Sequence, residues 1–181
     1  MVYVLLAEGF EEIEALFPPD ILRRGGVEVR TVGVGGRVIR GSHGLPITAD
    51  LTIEEATDTP ELLILPGGLP GATNLDASPE VDDMIRRTAE AGGRLAAICA
   101  APFILGKRGL LRGRSATCYP GFEGDLEGAS YLTDVRVVTD GNVTTAVGMG
   151  AAGEFAIELL SLLRGQEVAR RIADSAFIIL P

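Results

Sequence analysis

Apolar and polar positions follow two different rhythms along this chain. Short, mainly apolar runs are typical of parallel strands that are covered on both faces of a sheet. These runs predict strands at 2–7, 27–34, 62–65 and 94–98. Elsewhere, apolar residues recur every three or four positions and a glycine follows, which is typical of amphipathic helices. Such helices are predicted over 10–24, 79–91 and 151–163.

Strands that alternate with helices predict an α/β fold, a three-layer α/β/α sandwich with a mostly parallel sheet. Pro18 and Pro19 are expected to break or kink the first helix. Loose β-like pieces over 38–48 predict a hairpin, and the acidic segment 50–56 has a short helical pattern. The sequence shows no repeat, low-complexity tract or linker, which predicts a single domain over 1–181.

The last third continues the alternation with shorter elements. Asp140-Gly141 is a strong hairpin signal between two strand-like runs. The elements predicted there are strands at 115–118, 135–139 and 142–147, a short helix from 167 and an apolar segment at 177–180.

Length and charge limit the classes of protein to which the chain belongs. With 181 residues, 46% of them hydrophobic, and a formal net charge of −9, it is predicted to be a soluble, acidic, globular protein. Nucleic acid is not an expected partner, because phosphate binding needs clusters of Lys and Arg. In this chain 25 Asp and Glu residues outnumber 16 Lys and Arg residues. The first residues lack a basic leader and no apolar run approaches the ~18 residues of a membrane span, so a cytoplasmic location without membrane contact is expected.

The chain has two cysteines, Cys99 and Cys118, and one histidine, His43. Two cysteines do not make the dense disulfide framework of a small secreted domain, so both are predicted to be thiols. The sequence lacks C-x-x-C and H-E-x-x-H spacings, which leaves few ligands for a zinc ion. Neither a metal ion nor another cofactor is expected.

Cys99 lies where an apolar strand gives way to a helix. The run from Arg94 to Ile98 precedes it, and Pro102 has the fixed φ that suits a first helical turn. This order predicts an elbow that points Sγ at a helix N-terminus, where free N–H groups and the dipole favour a thiolate with a pKa below the ordinary ~8.5. A buried cysteine that serves only as a small apolar side chain fits the same residues.

Three predicted strands end together at this edge of the sheet, where open parallel sheets bind their ligands. Gly67-Gly68 follows one of them. Its backbone N–H groups, with that of Ala100, are candidates for an oxyanion site, although a glycine pair is also a common turn. Glu14 follows another strand, in a helix start whose acids also suit the dipole. A carboxyl group that turns inward beside a thiol would have a raised pKa and would serve as a general acid and base.

Four motifs, in this order, resemble those of the ThiJ/PfpI superfamily, in the branch of the parkinsonism-associated protein deglycase and its bacterial relatives. They are AEGFEEIE at 7–14, LPGG at 65–68, GATNL at 71–75 and AICAAP at 97–102. The resemblance covers nearly the whole chain and implies a homodimer with a flavodoxin-like sandwich of the class I glutamine amidotransferase kind. Cys99 matches the family's nucleophilic, oxidation-sensitive cysteine, and Glu14 matches its partner glutamate. Gly68 and Ala100 match the backbone donors at that site.

Some positions depart from the family pattern. Tyr119 lies where many members carry a histidine beside the cysteine, so the ordinary Cys–His pair is missing. Val147 and Met149 stand where the resemblance predicts an arginine and a proline, and His43 stands where some relatives place an arginine across the dimer interface. The resemblance therefore implies a less positive site that suits anionic substrates poorly, and in which Tyr119 or His43 would substitute for the missing histidine.

Members of the superfamily are reported as glyoxalases that act on methylglyoxal without glutathione, as deglycases, as redox-responsive protective proteins, and more distantly as proteases or isocyanide hydratases. The resemblance therefore implies a glyoxalase III-like lyase or related cysteine hydrolase that converts a small carbonyl substrate, methylglyoxal, to lactate through Cys99 and Glu14. Protease activity is not expected, because in relatives it depends on the histidine. The alternative is a redox sensor in which Cys99 is oxidised to a sulfinate held by Glu14. A resolving role for Cys118 and an ordinary exposed imidazole at His43 both stay open.

Overall fold

A computed structural model describes residues 1–179 and shows the expected alternation of strands and helices. The strands are β1 Val2–Ala7, β2 Val29–Val34, β3 Val38–Arg40, β4 Pro46–Thr48, β5 Leu51–Thr52, β6 Leu62–Leu65, β7 Arg94–Ile98, β8 Ser115–Ala116, β9 Ser130–Tyr131, β10 Val137–Asp140 and β11 Val143–Ala146. The helices are α1 Glu12–Arg24, α2 Gly71–Ala77, α3 Pro79–Glu90, α4 Pro102–Lys107, α5 Ala152–Arg164 and α6 Gln166–Ser175.

Seven strands form one sheet in the order β10-β11-β7-β6-β1-β2-β5. Every neighbouring pair is parallel except β10 with β11. The five inner strands, β2-β1-β6-β7-β11, follow the flavodoxin-like order 2-1-3-4-5, in which ligands bind at the carboxyl ends beside the first strand. The predicted sandwich with a mostly parallel sheet is confirmed.

Helices cover both faces of the sheet, because alternate residues of a strand point to opposite sides. On one face, Val2, Val4 and Leu6 of β1 belong to a cluster with α1, α5 and α6. On the other face, Tyr3 and Leu5 pack with α2, α3 and α4. All six residues of β1 are buried, which explains its uninterrupted apolar run.

A break or a kink was predicted in the first helix, and the break is wrong. α1 runs from Glu12 to Arg24 with Pro18 and Pro19 inside it, and both prolines are buried. Each proline removes one backbone donor from the helix. Packing against β1, β2 and α5 along the length of α1 outweighs that loss, since most helical stability in proteins comes from such packing.

The pattern of segment 50–56 predicted a short helix, and this prediction is wrong. The segment instead supplies β5 at the edge of the sheet, parallel to β2. Asp50 holds it there, because Oδ2 accepts hydrogen bonds from the Thr31 backbone N–H at 2.8 Å and from the Arg23 guanidinium at 2.6 Å. The helix α2 was not predicted at all. It occupies a segment with few apolar residues between β6 and α3.

The remaining predicted elements are present with small shifts. β3 and β4 form the hairpin expected over 38–48, and Asp140-Gly141 joins β10 to β11. The strand expected at 115–118 is shortened to β8 and pairs with β9 outside the main sheet. In the apolar segment 177–180, Phe177 and Ile179 are exposed, and Leu180 lies outside the described residues. Among the helices of residues 1–179, none has the length and apolar character needed to span a bilayer.

Candidate active site

Cys99 follows β7 directly and adopts a left-handed backbone conformation with φ of 65°. A residue other than glycine rarely has this φ, and such strain is concentrated at functional sites. The Cys99 N–H donates to the Ala146 carbonyl at 2.9 Å, and its carbonyl accepts from the Tyr119 N–H at 2.8 Å. The neighbouring strand and loop therefore fix the elbow, and the half-buried thiol lies at the carboxyl end of β7.

Gly67 and Gly68 allow the loop after β6 to lie against this elbow. A Cβ on Gly67 would lie 2.7 Å from the Cys99 Cβ and 2.8 Å from Glu14 Oε2. A Cβ on Gly68, whose φ is 83°, would collide with the backbone nitrogen of Glu11. Close approach of three segments therefore requires both glycines, beyond any need of a turn.

Glu14 turns inward from the first turn of α1 and is fully buried. Its Oε2 accepts a hydrogen bond from the Gly67 N–H at 2.9 Å. Burial raises the pKa of Glu14 to about 7, although hydrogen bonds with the Cys99 thiol and Gly67 act to lower it. Oε1 is also buried and has no partner with full hydrogen-bond geometry among the described residues, even though the thiol and the Met149 backbone lie near enough to affect that pKa.

The thiol itself differs from the sequence prediction. Burial, and then the negative charge of Glu14, raise the pKa of Cys99 to about 12, while the nearby backbones of Ala100 and Gly68 act to lower it. The predicted lowering by a helix dipole fails because burial and the carboxylate outweigh α4, which is only six residues long. Cys99 and Glu14 therefore titrate as a coupled pair.

Tyr119 lies beside the thiol at the mouth of the site. A Cβ placed on Gly148 would lie 3.4 Å from the Tyr119 ring and 3.9 Å from Cys99 Sγ, so the ring and the sulfur flank the same point. About half of the Tyr119 surface, 51%, is exposed. The structure brings Tyr119 to the cysteine, as the resemblance implied for the position of the missing histidine.

His43 contacts Glu12 and Ser42, outside the pair of Cys99 and Glu14. Glu12 Oε1 accepts from the His43 backbone N–H at 2.8 Å, and Oε2 lies 3.0 Å from Nδ1. The hydrogen bond with Glu12, and then the charge of Glu12, raise the pKa of the imidazole. The side chain is 74% exposed, so the structure gives it the surroundings of a surface histidine.

One cluster of metal-ligand types is present in the described part of the chain. Potential ligand atoms of Glu11, Glu12 and His43 lie within 4.8 Å of one another. These side chains already have protein partners, because Glu11 Oε2 caps α1 by accepting from the Glu14 N–H at 2.8 Å and Glu12 binds His43. Protein contacts account for the cluster, and the expectation that no metal ion is bound stays a prediction.

Cys118 is fully buried on the face of the sheet that α2, α3 and α4 cover. Cys99 packs against the cluster on the opposite face, and both thiols are free. Burial raises the pKa of Cys118 to about 11. Because the two side chains lie on opposite faces, the structure favours a core role for Cys118 over a resolving role.

Sequence reasoning missed the contribution of the turn at 148–150. The Met149 backbone reaches the Glu14 carboxyl, and Arg136 holds the turn by donating to the Gly150 carbonyl and, at 2.7 Å, to Glu154. The available signal was that β11 also ends at this edge of the sheet, at a turn that contains two glycines.

Comparison with known proteins places this geometry in a family. Residues 1–162 match the DJ-1/PfpI family. The chain is 38% identical over 178 residues to protein dj-1beta of Drosophila melanogaster, which covers 97% of this chain and 95% of that one. The crystal structure of Drosophila DJ-1beta aligns with a TM-score of 0.95 at 37% identity, over 99% of this chain and 98% of the other.

Two further relatives carry names that describe an activity. The glutathione-independent glyoxalase DJR-1.2 of Caenorhabditis elegans is 32% identical over 165 residues, 91% of this chain and 88% of that one. A deglycase of Pyrococcus abyssi is 34% identical over 165 residues, 90% of this chain and 99% of that one. By family match, sequence identity and flavodoxin-like fold, the chain belongs to the DJ-1/PfpI family.

Proposed function

We propose that this protein is a cysteine-dependent enzyme that converts small α-oxoaldehydes to hydroxy acids without glutathione, with methylglyoxal to lactate as the reference reaction. The observation that carries the proposal is the buried Glu14 carboxyl, whose pKa of about 7 suits proton transfer in both directions, next to the strained Cys99. Relatives named as a glyoxalase and a deglycase support a reaction of this class.

The reaction begins with the proton of the pair on Glu14 and the negative charge on Cys99. The thiolate adds to the aldehyde carbon, Glu14 protonates the resulting alkoxide, and the N–H groups of Gly68 and Ala100 stabilise the oxygen as its charge develops. Glu14 then removes the proton on the former aldehyde carbon, which gives an enediol. Glu14 returns this proton to the adjacent carbon, the former ketone carbon. At the same time the hydroxyl proton on the first carbon moves to the oxygen of the second, which leaves a thioester. Water hydrolyses the thioester that remains, which releases lactate and the free thiol.

The test is lactate formed from methylglyoxal, without glutathione, by the wild type and two variants. Cys99→Ala is expected to lose turnover to background, and Glu14→Gln to lose about 100-fold or more in kcat, since a general acid and base contributes about that much. Cys118→Ala, at the second cysteine of the chain, is the matched control and keeps its activity. Circular dichroism confirms that each variant is folded. A wild type that forms no lactate above the buffer rate would overturn the proposal.

Oxidation of Cys99 is the second candidate function, and one observation favours it. Glu14 Oε1 is buried without a well-placed partner among the described residues, so a sulfinate oxygen on Cys99 would supply one to a protonated Glu14. Hydrogen peroxide would provide both oxygen atoms. Intact mass measurement after mild peroxide treatment should then show two added oxygens on the wild type and on Cys118→Ala, and none on Cys99→Ala.

A further inference from the structure

Four of the five segments that form the candidate site contain no charged residue. They are 66–71, 98–102, 117–120 and 147–151. The charges at the site come from the start of α1, where Glu11, Glu12 and Glu14 are buried acids. Two bases that contact these elements are already paired, His43 with Glu12 and Arg136 with Glu154. A substrate carboxylate bound at the thiol would therefore be repelled by these acids, and no cation from these segments would compensate for the repulsion. Binding of an anionic substrate is thus unfavourable.

The same segments carry three large, exposed apolar residues. Leu69 follows the backbone donor Gly68, Tyr119 lies over Gly148, and Met149 follows that glycine. The exposed fractions of Leu69, Tyr119 and Met149 are 53%, 51% and 54%. Single exposed apolar residues are ordinary on protein surfaces. Leu69 follows Gly68, whose backbone lies near the sulfur, the Tyr119 N–H donates to the Cys99 carbonyl, and the Met149 backbone lies near the Glu14 carboxyl. Together we name these three residues the apolar rim.

We propose that the apolar rim selects uncharged α-oxoaldehydes with an apolar or aromatic substituent, and that the Tyr119 ring is the main specificity determinant. The inference rests on the proposed function. With its aldehyde carbon at Cys99 Sγ, a substrate would extend its substituent past Gly148 toward the ring, because the ring and the sulfur flank the same point. An aromatic substituent would pack against the ring, whereas a carboxylate would lose water there without gaining a partner.

Matched substrates test the charge selection. Phenylglyoxal and 4-carboxyphenylglyoxal share the reacting group and the ring, and differ by one carboxylate. For the wild type, kcat/KM is expected to be about 5-fold or more higher for phenylglyoxal, which corresponds to the repulsion between like charges in a partly solvated site. Equal values for the two substrates would overturn the inference.

Variants of Tyr119 test the determinant. Tyr119→Ala is expected to lower the ratio of kcat/KM for phenylglyoxal to that for methylglyoxal by about 3- to 10-fold, which is the range of aromatic pair energies, and Tyr119→Phe is expected to preserve the ratio. Phe177→Ala, at another exposed aromatic residue, is the control and leaves the ratio unchanged. If Tyr119→Ala leaves the ratio unchanged, the assignment of Tyr119 as the main specificity determinant is wrong.

A second readout does not depend on turnover. Cys99 is alkylated with the aromatic amide N-phenyl iodoacetamide and with the anionic iodoacetate. The alkylation rate with each reagent is divided by the rate of the same reagent with free cysteine. Peptide mass spectrometry distinguishes alkylation of Cys99 from that of the buried Cys118. A preference for the aromatic amide that falls in Tyr119→Ala supports the inference, and no preference overturns it. A protein that keeps this preference but forms no lactate would contradict the proposed function alone.

Discussion

Cys99 and Glu14 both have pKa values that burial raises, to about 12 and about 7. Between those values the pair carries one negative charge and holds one proton. A thiolate beside a carboxylic acid has the same total charge as a thiol beside a carboxylate. In the proposed reaction, the thiolate would therefore form by proton transfer within the pair, without loss of a second proton to solvent.

The pH dependence of turnover follows from this shared proton. For the wild type, kcat/KM with methylglyoxal is expected to rise as the pH increases through about 7 and then to level off, because the singly charged pair forms over that range. In Glu14→Gln the thiol must ionise alone, so the rise moves to higher pH. Initial rates at constant ionic strength between about pH 5 and 10 measure both profiles. A wild-type profile that is flat across neutral pH would contradict the shared proton.

Burial of Glu14 also predicts how stability changes with pH. The pKa of Glu14 in the folded protein is about 7, above the ordinary value of 4.5. At a pH below 4.5 the protonated carboxyl therefore makes its full contribution to stability. This contribution is lost as the pH rises through about 7. Relative to Glu14→Gln, the wild type should lose about 2–3 kcal/mol of unfolding free energy between pH 5 and 8. His43, whose raised pKa acts in an overlapping range, is present in both proteins and cancels. Urea unfolding at the two pH values measures the difference, and parallel behaviour of the two proteins would contradict it.

Two glycines near the thiol should respond differently to the same substitution. In Gly67→Ala the new Cβ would lie within 2.8 Å of the Cys99 Cβ and of Glu14 Oε2, so the fold is expected to lose about 1–3 kcal/mol. In Gly148→Ala the contacts are ordinary, 3.4 Å to the Tyr119 ring and 3.9 Å to Sγ, and the backbone is extended, so less than about 1 kcal/mol is expected. Urea unfolding of both variants checks the order, and the reverse order would show that the loop at Gly67 has room.

Among the elements, the edge of the sheet at β5 depends on one side chain. Asp50 accepts hydrogen bonds from Thr31 of β2 and from Arg23 of α1, so it joins three elements. Burial tends to raise the pKa of Asp50, but the hydrogen bonds from Thr31 and the charge of Arg23 together hold it below the ordinary value of 3.8.

Asp50→Ala is therefore expected to lower the unfolding free energy by about 1.5–3 kcal/mol at pH 7, the range for hydrogen bonds to a charged group. Because the folded pKa is lowered, this contribution is present above 3.8 and is lost as the pH falls through the folded value. Asp134→Ala, at an exposed carboxylate, is the control and should change stability by less than about 0.5 kcal/mol. An Asp50→Ala effect that is no larger than the control would show that β5 is held by other contacts.

The elements that the sequence predicted well are those whose packing appears as a local pattern. β1 and β6 are buried on both faces and read as unbroken apolar runs, and Ser78 before Pro79 marks the start of α3. The elements it missed depend on distant partners. α1 continues through Pro18-Pro19 because α5 packs against it, and β5 forms because Asp50 binds residues far away in the sequence.

The candidate site divides in the same way. The motifs predicted which residues meet, and the structure brings Cys99, Glu14, Gly68 and Ala100 together. The sequence predicted a lowered pKa for Cys99, whereas the pKa is raised. Burial and the charge of Glu14 raise it, and both depend on residues that only the folded chain brings together. The roles of Met149 and Arg136 escaped prediction for the same reason.

At the scale of the whole molecule, topology brings the chemistry to one edge of the sheet. β1 lies between β2 and β6, where the strand order reverses, and β6, β7 and β11 end beside it. A formal net charge of −9 and charge-free loops around the thiol make this edge unsuited to anions. Whole-molecule charge and the apolar rim thus both agree with the proposed class of uncharged substrate.

The same end of the molecule also presents apolar surface from α1 and the hairpin of β3 and β4. Ile13, in the first turn of α1, is 46% exposed, and Val38 and Leu45 on the hairpin are 63% and 55% exposed. The hairpin is joined to the start of α1 by a hydrogen bond from the Ser42 N–H to the Phe10 carbonyl at 2.8 Å. A contiguous exposed apolar surface is typical of an interface between protein chains, and these residues are the candidates for one.

We therefore expect the homodimer that the family resemblance implies, paired through α1, with a mass in solution of twice 19.0 kDa. Ile13→Asp should convert it to the monomer, because an interface with two-fold symmetry would then bury a pair of like charges. The variant should still fold, since an acid in the first turn of a helix suits the dipole. Light scattering after size exclusion measures the mass, with Val135→Asp, at an exposed apolar residue before β10, as the control. A wild type of single-chain mass, or a dimer that survives Ile13→Asp, would show that this surface is not the interface.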